Sequence, residues 1–185
     1  IRDALLNVVQ TSLSTSSLVS GAVNQTPPSG KCSFVPKSGL VVGAGGTARA
    51  AIFCLQQMRC ARIVVHNRTH SKAVALAQEF GVEAMESLES LESLESLETD
   101  TAFEVILCTV PSSAQFTMPS GTWGRKTEKD TKDTERGSSS NEVVRGPRVV
   151  LDAAYRPRET ALLRQARLLG QGTILSVEGI DMLIM

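Results

Sequence analysis

This sequence predicts an α/β fold, a doubly wound parallel sheet with helices on both faces, from three observations. Short runs rich in β-branched residues alternate with alanine- and leucine-rich stretches of helical periodicity. The runs are apolar throughout, which suits strands buried on both faces. The first of them, in "GLVVGAGGTARAAIFCL" from Gly39 to Leu55, passes through a cluster of glycines directly into a helical pattern. That is the strand-to-helix turn of a Rossmann-like sheet.

At the N-terminal end, "IRDALLNVV" spaces Ile1, Leu5, Val8 and Val9 as one helical face. The stretch from there to Lys37 is rich in Ser, Thr, Pro and Gly and reads as a loop. Residues 1–37 are therefore set apart from a sheet-forming domain over 38–185. Within that domain Leu40, Val41 and Val42 form a first strand, followed by a helix, and Ile63 to Val65 form the core of a second. A second helix runs to Phe80, and Val82 to Met85 make a short third strand. Val105 to Cys108 form the centre of a fourth strand and "PRVVLDAAY" a fifth. Thr160 to Leu169 reads as a helix stopped by Gly170, with Thr173 to Leu175 as a last short strand.

Two segments break this alternation. "ESLESLESLESLE", spanning 86–98, repeats every three residues. A helix has about 3.6 per turn, so each leucine slips about 60° around the axis and no single apolar stripe results. A repeat expanded within a surface connection accounts for it better than a coiled coil, which needs a seven-residue repeat. The second segment, 124–146, is charged and hydroxyl-rich, with almost no large apolar residue before Val143. It cannot bury enough surface to offset the entropy of ordering, which predicts a mobile insertion.

The glycine cluster carries the first functional signal. A sharp strand-to-helix turn exposes the unpaired N–H groups of the first helical turn, backed by the positive end of the helix dipole, and so makes an anion site. Gly43, Gly45 and Ala48 match G-x-G-x-x-G/A in its alanine form. In that reading Gly43 permits the turn, Gly45 lets backbone approach a pyrophosphate, and Ala48 lets helix pack on strand, with Ala44, Gly46 and Thr47 completing the loop.

The second signal lies at the end of the next strand. "ARIVVHNRT" ends in Asn67, Arg68 and Thr69, at the distance from Gly43 where such a unit reads the adenosine ribose. An NAD-specific unit would usually place an acidic residue there. This chain offers an amide, a guanidinium and, one helical turn after Arg68, the ammonium of Lys72. That set of donors suits a dianionic 2′-phosphate, so NADP is expected in preference to NAD. Solvated charges at a helix start are the plainer alternative, although the dipole disfavours cations there.

Composition narrows the classes of partner. The formal net charge is zero, so no global field steers the chain to nucleic acid or to a membrane. No apolar run is long enough to span a bilayer. Cys32, Cys54, Cys60 and Cys108 show no C-x-x-C spacing, and Cys54 and Cys108 sit inside apolar patterns. Buried free thiols in a reducing, cytoplasmic compartment are expected, with no disulfide and no metal site. His66 and His70 flank the Asn-Arg-Thr turn without clustered ligand partners and read as surface or strand-end residues.

"VVGAGGTARAAIFCL", "NRTHSKA", "LDAAYRPRETALLRQA" and "VEGIDML" occur in this order. Together they resemble the successive signatures of the cofactor-binding half of shikimate dehydrogenase, especially the version at the C-terminal end of the fungal pentafunctional arom polypeptide. The resemblance covers most of Ser38 to Leu183 apart from the two low-complexity stretches. It implies hydride transfer between the shikimate hydroxyl and C4 of NADP, with a lysine and an aspartate shuttling the proton.

In the family both of those residues belong to an N-terminal substrate domain. The aspartate lies in an N-T-D-x-x-G motif just before a helix resembling "IRDALLN", so no catalytic residue is assigned in this chain, which is expected to be inactive alone. The resemblance further implies that Thr109 and Val110 line the nicotinamide ribose and that Tyr155 faces the substrate cleft. It also implies that Gly179 and Met182 pass by the nicotinamide. The family's next substrate contact, a glutamine, would follow Met185.

Three readings of function result. The first is the NADP-binding portion of a shikimate dehydrogenase, acting on a shikimate- or quinate-type small molecule together with a substrate domain. The second is a non-catalytic regulator of the quinate-repressor type, which resembles the same arom domains. The third is a degenerate fragment, with which the repeat expansion is also compatible.

Overall fold

The computed structural model describes residues 35–89, 103–123, 147–169 and 174–182. The expected N-terminal helix, the greater part of the Glu-Ser-Leu repeat, the 124–146 insertion, Gly170 and Thr173 lie outside the described residues.

Six strands form one sheet: β1 (Ser38–Val42), β2 (Arg62–His66), β3 (Glu83–Met85), β4 (Val105–Cys108), β5 (Val149–Asp152) and β6 (Leu175–Val177). Their order is β3-β2-β1-β4-β5-β6 and every pairing is parallel. The predicted doubly wound parallel sheet is therefore what the chain forms. Among the described residues three α-helices accompany it: α1 (Gly46–Gln57), α2 (His70–Phe80) and α3 (Ala161–Leu169).

Because successive strand side chains point to opposite faces, each uniformly apolar run feeds two cores. Val41, Val65, Leu107 and Leu151 are buried on one face with Ala48, Ile52 and Leu55 of α1 and Ala73 and Leu76 of α2. Leu40, Val42, Val64, Ile106 and Val150 are buried on the other with Leu162, Leu163 and Ala166 of α3. Met118 and Trp123, from the connection between β4 and β5, extend this second core.

Two boundaries differ from the sequence-based expectation. β1 begins at Ser38, ahead of the apolar run, because Ser38 and Gly39 already pair with Arg62 and Ile63 of β2. The last strand runs from Leu175 to Val177, later than Thr173 to Leu175. It is fixed by pairing with Val149 to Leu151 of β5, a contact that local composition does not carry.

α2 ends where Gly81 takes a left-handed conformation (φ 67°) and its N–H donates to Ala77 O. Among the described residues no helix is long and apolar enough to cross a membrane.

Candidate functional site

The strand order reverses between β1 and β4, and the crevice at that point lies beyond the carboxyl ends of the strands. There the described residues enclose an open cleft of about 1320 Å³. Gly43, Ala44 and Gly45 form one side of it, Asn67, Arg68, Thr69 and Lys72 another, and Thr109, Val110 and Pro111 a third.

The turn after β1 is tightly specified. Gly43 has φ 115°, a region that L side chains rarely adopt, and a Cβ on it would lie 2.4 Å from Thr109 Oγ1. Its N–H donates to His66 O at 2.8 Å. Gly45, the residue before α1, is different, since it has ordinary extended backbone (φ −92°) and a Cβ on it would meet nothing within 4 Å. The fold needs a glycine at 43 but not at 45. Ala48 is fully buried against the sheet, as close packing of α1 requires.

Two helices start at this cleft, and neither N-terminus is neutralised. Gly45 and Thr69, the residues that precede α1 and α2, make no side-chain capping hydrogen bond. Neither helix has an acidic residue in its first turn. Helices usually place oxygen acceptors or carboxylates there, so these two positive ends remain uncompensated. Lys72 sits in the first turn of α2 against the helix dipole, and Arg68 lies just before that helix. Neither side chain makes an ion pair or hydrogen bond among the described residues. Nearby cations are engaged: Arg49 pairs with Glu79, and Arg62 holds Glu83 through Nε and Nη2 at 3.0 and 2.8 Å.

Asn67 is placed by its own turn, its Nδ2 donating to Thr69 O at 3.0 Å. The amide oxygen remains as an acceptor. At the other wall the backbone N–H and the hydroxyl of Thr109 both donate to Val42 O, each at 2.8 Å. Farther along, the Gln165 side chain of α3 clasps the backbone of Met118, accepting from its N–H at 2.8 Å and donating to its O at 2.7 Å. This fixes the Phe116–Pro119 wall to the second core.

Not every candidate residue reaches the cleft. Gly46, Thr47 and Ala48 form the first turn of α1 and are not among the residues that line the cleft. Tyr155 is half exposed and Gly179 packs on backbone, where a Cβ would lie 2.5 Å from Ala154 O and 2.6 Å from Ala153 O. Neither lines the cleft, and Met182 ends a 3₁₀ turn that begins at Gly179.

Conversely, Glu86, Ser87, Leu88 and Glu89 line the cleft, whereas their sequence predicts a surface connection. Leu88 is buried in the second core. The Ser87 hydroxyl bonds the Glu89 carboxylate and, with smaller contributions, holds it below the usual carboxylate range. The repeat masks the signal that could have found these residues, namely their position just beyond the carboxyl end of β3. His66 also lines the cleft, its Nδ1 3.3 Å from Met85 O, and buried His70 Nδ1 has no partner among the described residues.

At the ends of β4 and β5, burial pushes the Cys108 thiol up to about 12, which makes it a packing group and not a nucleophile. Burial also raises the Asp152 carboxyl above its ordinary range, partly offset by the Thr160 hydroxyl at 2.7 Å and the Ala154 N–H at 3.0 Å. Cys54, Cys60 and Cys108 form no disulfide among the described residues, which also contain no cluster able to hold a metal ion.

The strand order, the glycine turn and the cleft at the reversal point define a doubly wound sheet of the Rossmann class. The family model for shikimate / quinate 5-dehydrogenase matches residues 31–119. The pentafunctional AROM polypeptide of Komagataella phaffii is 33% identical over 137 residues, 73% of this chain and 8% of that protein. That of Malassezia globosa is 32% identical over 128 residues, 69% of this chain and 7% of that protein. The chain belongs to the shikimate / quinate dehydrogenase family and spans about 8% of the length of these curated relatives.

Two solved structures share the fold. One is shikimate 5-dehydrogenase from Thermus thermophilus, solved with NADP(H) and shikimate: TM-score 0.52, 24% identity, 78% of this chain and 44% of that one. The other contains the dehydroquinate dehydratase and shikimate dehydrogenase of S. pombe AROM: TM-score 0.56, 23% identity, 83% of this chain and 26% of that one.

Proposed function

We propose that this chain is the NADP-binding portion of a shikimate dehydrogenase of the AROM type, completed by a substrate domain that supplies the proton shuttle. The observation that carries the reading is the concentration of uncommitted positive groups in one cleft: two uncapped helix N-termini, Arg68 and Lys72.

The residues present fit the cofactor. Gly45 leaves open space where a pyrophosphate would approach the N-terminus of α1. Arg68 and Lys72 would hold the 2′-phosphate, while Thr109 and Val110 would border the nicotinamide ribose. When bound, the nicotinamide supplies the hydride-accepting carbon. Supporting the same reading, the T. thermophilus relative was solved with NADP(H). Cytoplasmic residence is part of this proposal, as the expected setting for free thiols.

The test is calorimetric titration of the purified chain with NADPH and with NADH, repeated on Arg68→Ala. Loss of a charge-assisted contact should weaken NADPH binding about tenfold to a hundredfold and NADH binding less than about twofold. Equal losses for both would remove the 2′-phosphate argument.

One observation favours the second reading, a non-catalytic regulator: Glu86 and Glu89 place carboxylates in the same cleft and oppose a bound anion. If neither cofactor binds, that reading takes the lead.

A further inference from the structure

We propose that Thr109 is a positioning residue for the phosphate loop, its hydroxyl serving to lock the peptide unit from which that loop departs. The inference rests on the dinucleotide reading above and gives Thr109 a different task from lining the nicotinamide ribose.

The Val42–Gly43 peptide unit is the last of β1. Its N–H, on Gly43, donates to His66 O of β2 at 2.8 Å. Its carbonyl, on Val42, accepts from the backbone N–H of Thr109 just after β4, also at 2.8 Å. The unit is therefore held from both neighbouring strands at the place where the sheet order reverses. The Thr109 hydroxyl donates a further bond to the same carbonyl at 2.8 Å.

The next torsion along the chain is φ of Gly43, at 115°. Everything downstream, including Gly45 and the N-terminus of α1, is aimed by that torsion relative to the clamped peptide plane. Thr109 Oγ1 also occupies the space a Gly43 Cβ would need, 2.4 Å from it. Hydroxyl and glycine thus fit each other, and the single hydrogen that the hydroxyl can donate is committed inside the fold. Its part in cofactor binding is to hold the loop in the shape that receives the pyrophosphate before any ligand arrives.

The experiment compares Thr109→Val, which keeps the branched shape without the hydroxyl, with Thr109→Ser, which keeps the hydroxyl. Amide hydrogen exchange is measured on the ligand-free chain, and NADPH and NADH titrations follow. In Thr109→Val the Gly43 amide should exchange about tenfold faster while Val64 and Val65 in β2 keep their rates. Both cofactors should bind about fivefold to tenfold more weakly and to an equal extent, because the loop serves the pyrophosphate they share. Thr109→Ser should restore exchange and affinity.

Three results overturn the proposal: weaker binding with unchanged exchange, which would make Thr109 a direct ligand contact; faster exchange with unchanged binding; or no restoration by serine. If the unaltered chain binds neither cofactor, the function proposed above falls, and the exchange comparison still decides whether the hydroxyl locks the loop.

Discussion

The two ends of the sheet treat charge in opposite ways. Around β5 and β6, Arg158, Arg164 and Arg167 meet Glu159 and Glu178 in one connected network, with N–O distances from 3.0 to 3.7 Å. The Asp152 carboxyl beneath it is satisfied by Thr160 and Ala154, and Thr160 in turn accepts the Leu163 N–H at the start of α3. Around β1 and β2, the two helix starts are left uncapped and Arg68 and Lys72 are left unpaired among the described residues, although Arg49 and Arg62 nearby have carboxylate partners. One end completes its electrostatics within the fold, and the other leaves positive groups converging on a cleft. Donors that the fold leaves open together, at a strand-order reversal, are where an anion would be received.

Within the cleft end, the two glycines of the loop should separate fold from ligand. Gly43→Ala forces a positive φ on an L residue and a 2.4 Å approach to Thr109 Oγ1, so stability should fall by about 2–4 kcal/mol. Gly45→Ala meets no atom within 4 Å and should cost less than about 1 kcal/mol. It should nevertheless weaken NADPH binding, because its methyl group would occupy the approach to the helix N-terminus. Denaturant unfolding with parallel titrations measures both. If Gly45→Ala binds NADPH as well as the unaltered chain, pyrophosphate does not approach at that point.

At the other end, Asp152 tests whether internal satisfaction is complete. Its folded value is raised by burial above the unfolded 3.8. The native state therefore holds a proton that the unfolded chain has released, and stability falls as pH rises from 3.8 through the raised value. Asp152→Asn does not titrate. It presents an amide N–H₂ where the carboxylate accepts hydrogen bonds, and should cost about 1–3 kcal/mol. That deficit should be largest below pH 3.8 and shrink toward neutrality as the unaltered chain loses its own contribution. Unfolding curves on either side of the raised value decide it, and a deficit that grows with pH would reverse the assignment.

The difference between the ends also accounts for what the sequence can show. The parallel sheet is legible because strands buried on both faces are uniformly apolar, as Val41 and Ile106 illustrate on opposite cores. The Gly43 turn is legible because its backbone demands a glycine. The Thr109 hydroxyl bond is not, since it joins residues 67 positions apart. Nor is the placement of Glu86 to Glu89, whose three-residue period points to no face of any regular element while β3 delivers them to the cleft. Ser176 and Val177 escape a sequence-based strand assignment because only their neighbour β5 makes them one.

The smallest expected effect comes from the ion-pair network itself. Arg158 and Arg167 hold the Glu178 carboxyl below its ordinary 4.5, so its contribution is present above that pH and is lost as pH falls through the lowered value. Both arginines are substantially exposed, at 71% and 45%, and water and salt screen such pairs. Glu178→Gln should therefore cost only about 0.5–1 kcal/mol at neutral pH and low salt. The cost should shrink below pH 4.5 and in molar salt, leaving NADPH affinity unchanged because Glu178 lies outside the cleft. Thermal unfolding across pH and salt reads the first part, and titration reads the second. A change in NADPH affinity would show that the two ends are energetically coupled, and the contrast between a self-satisfied end and a receptive one would have to be redrawn.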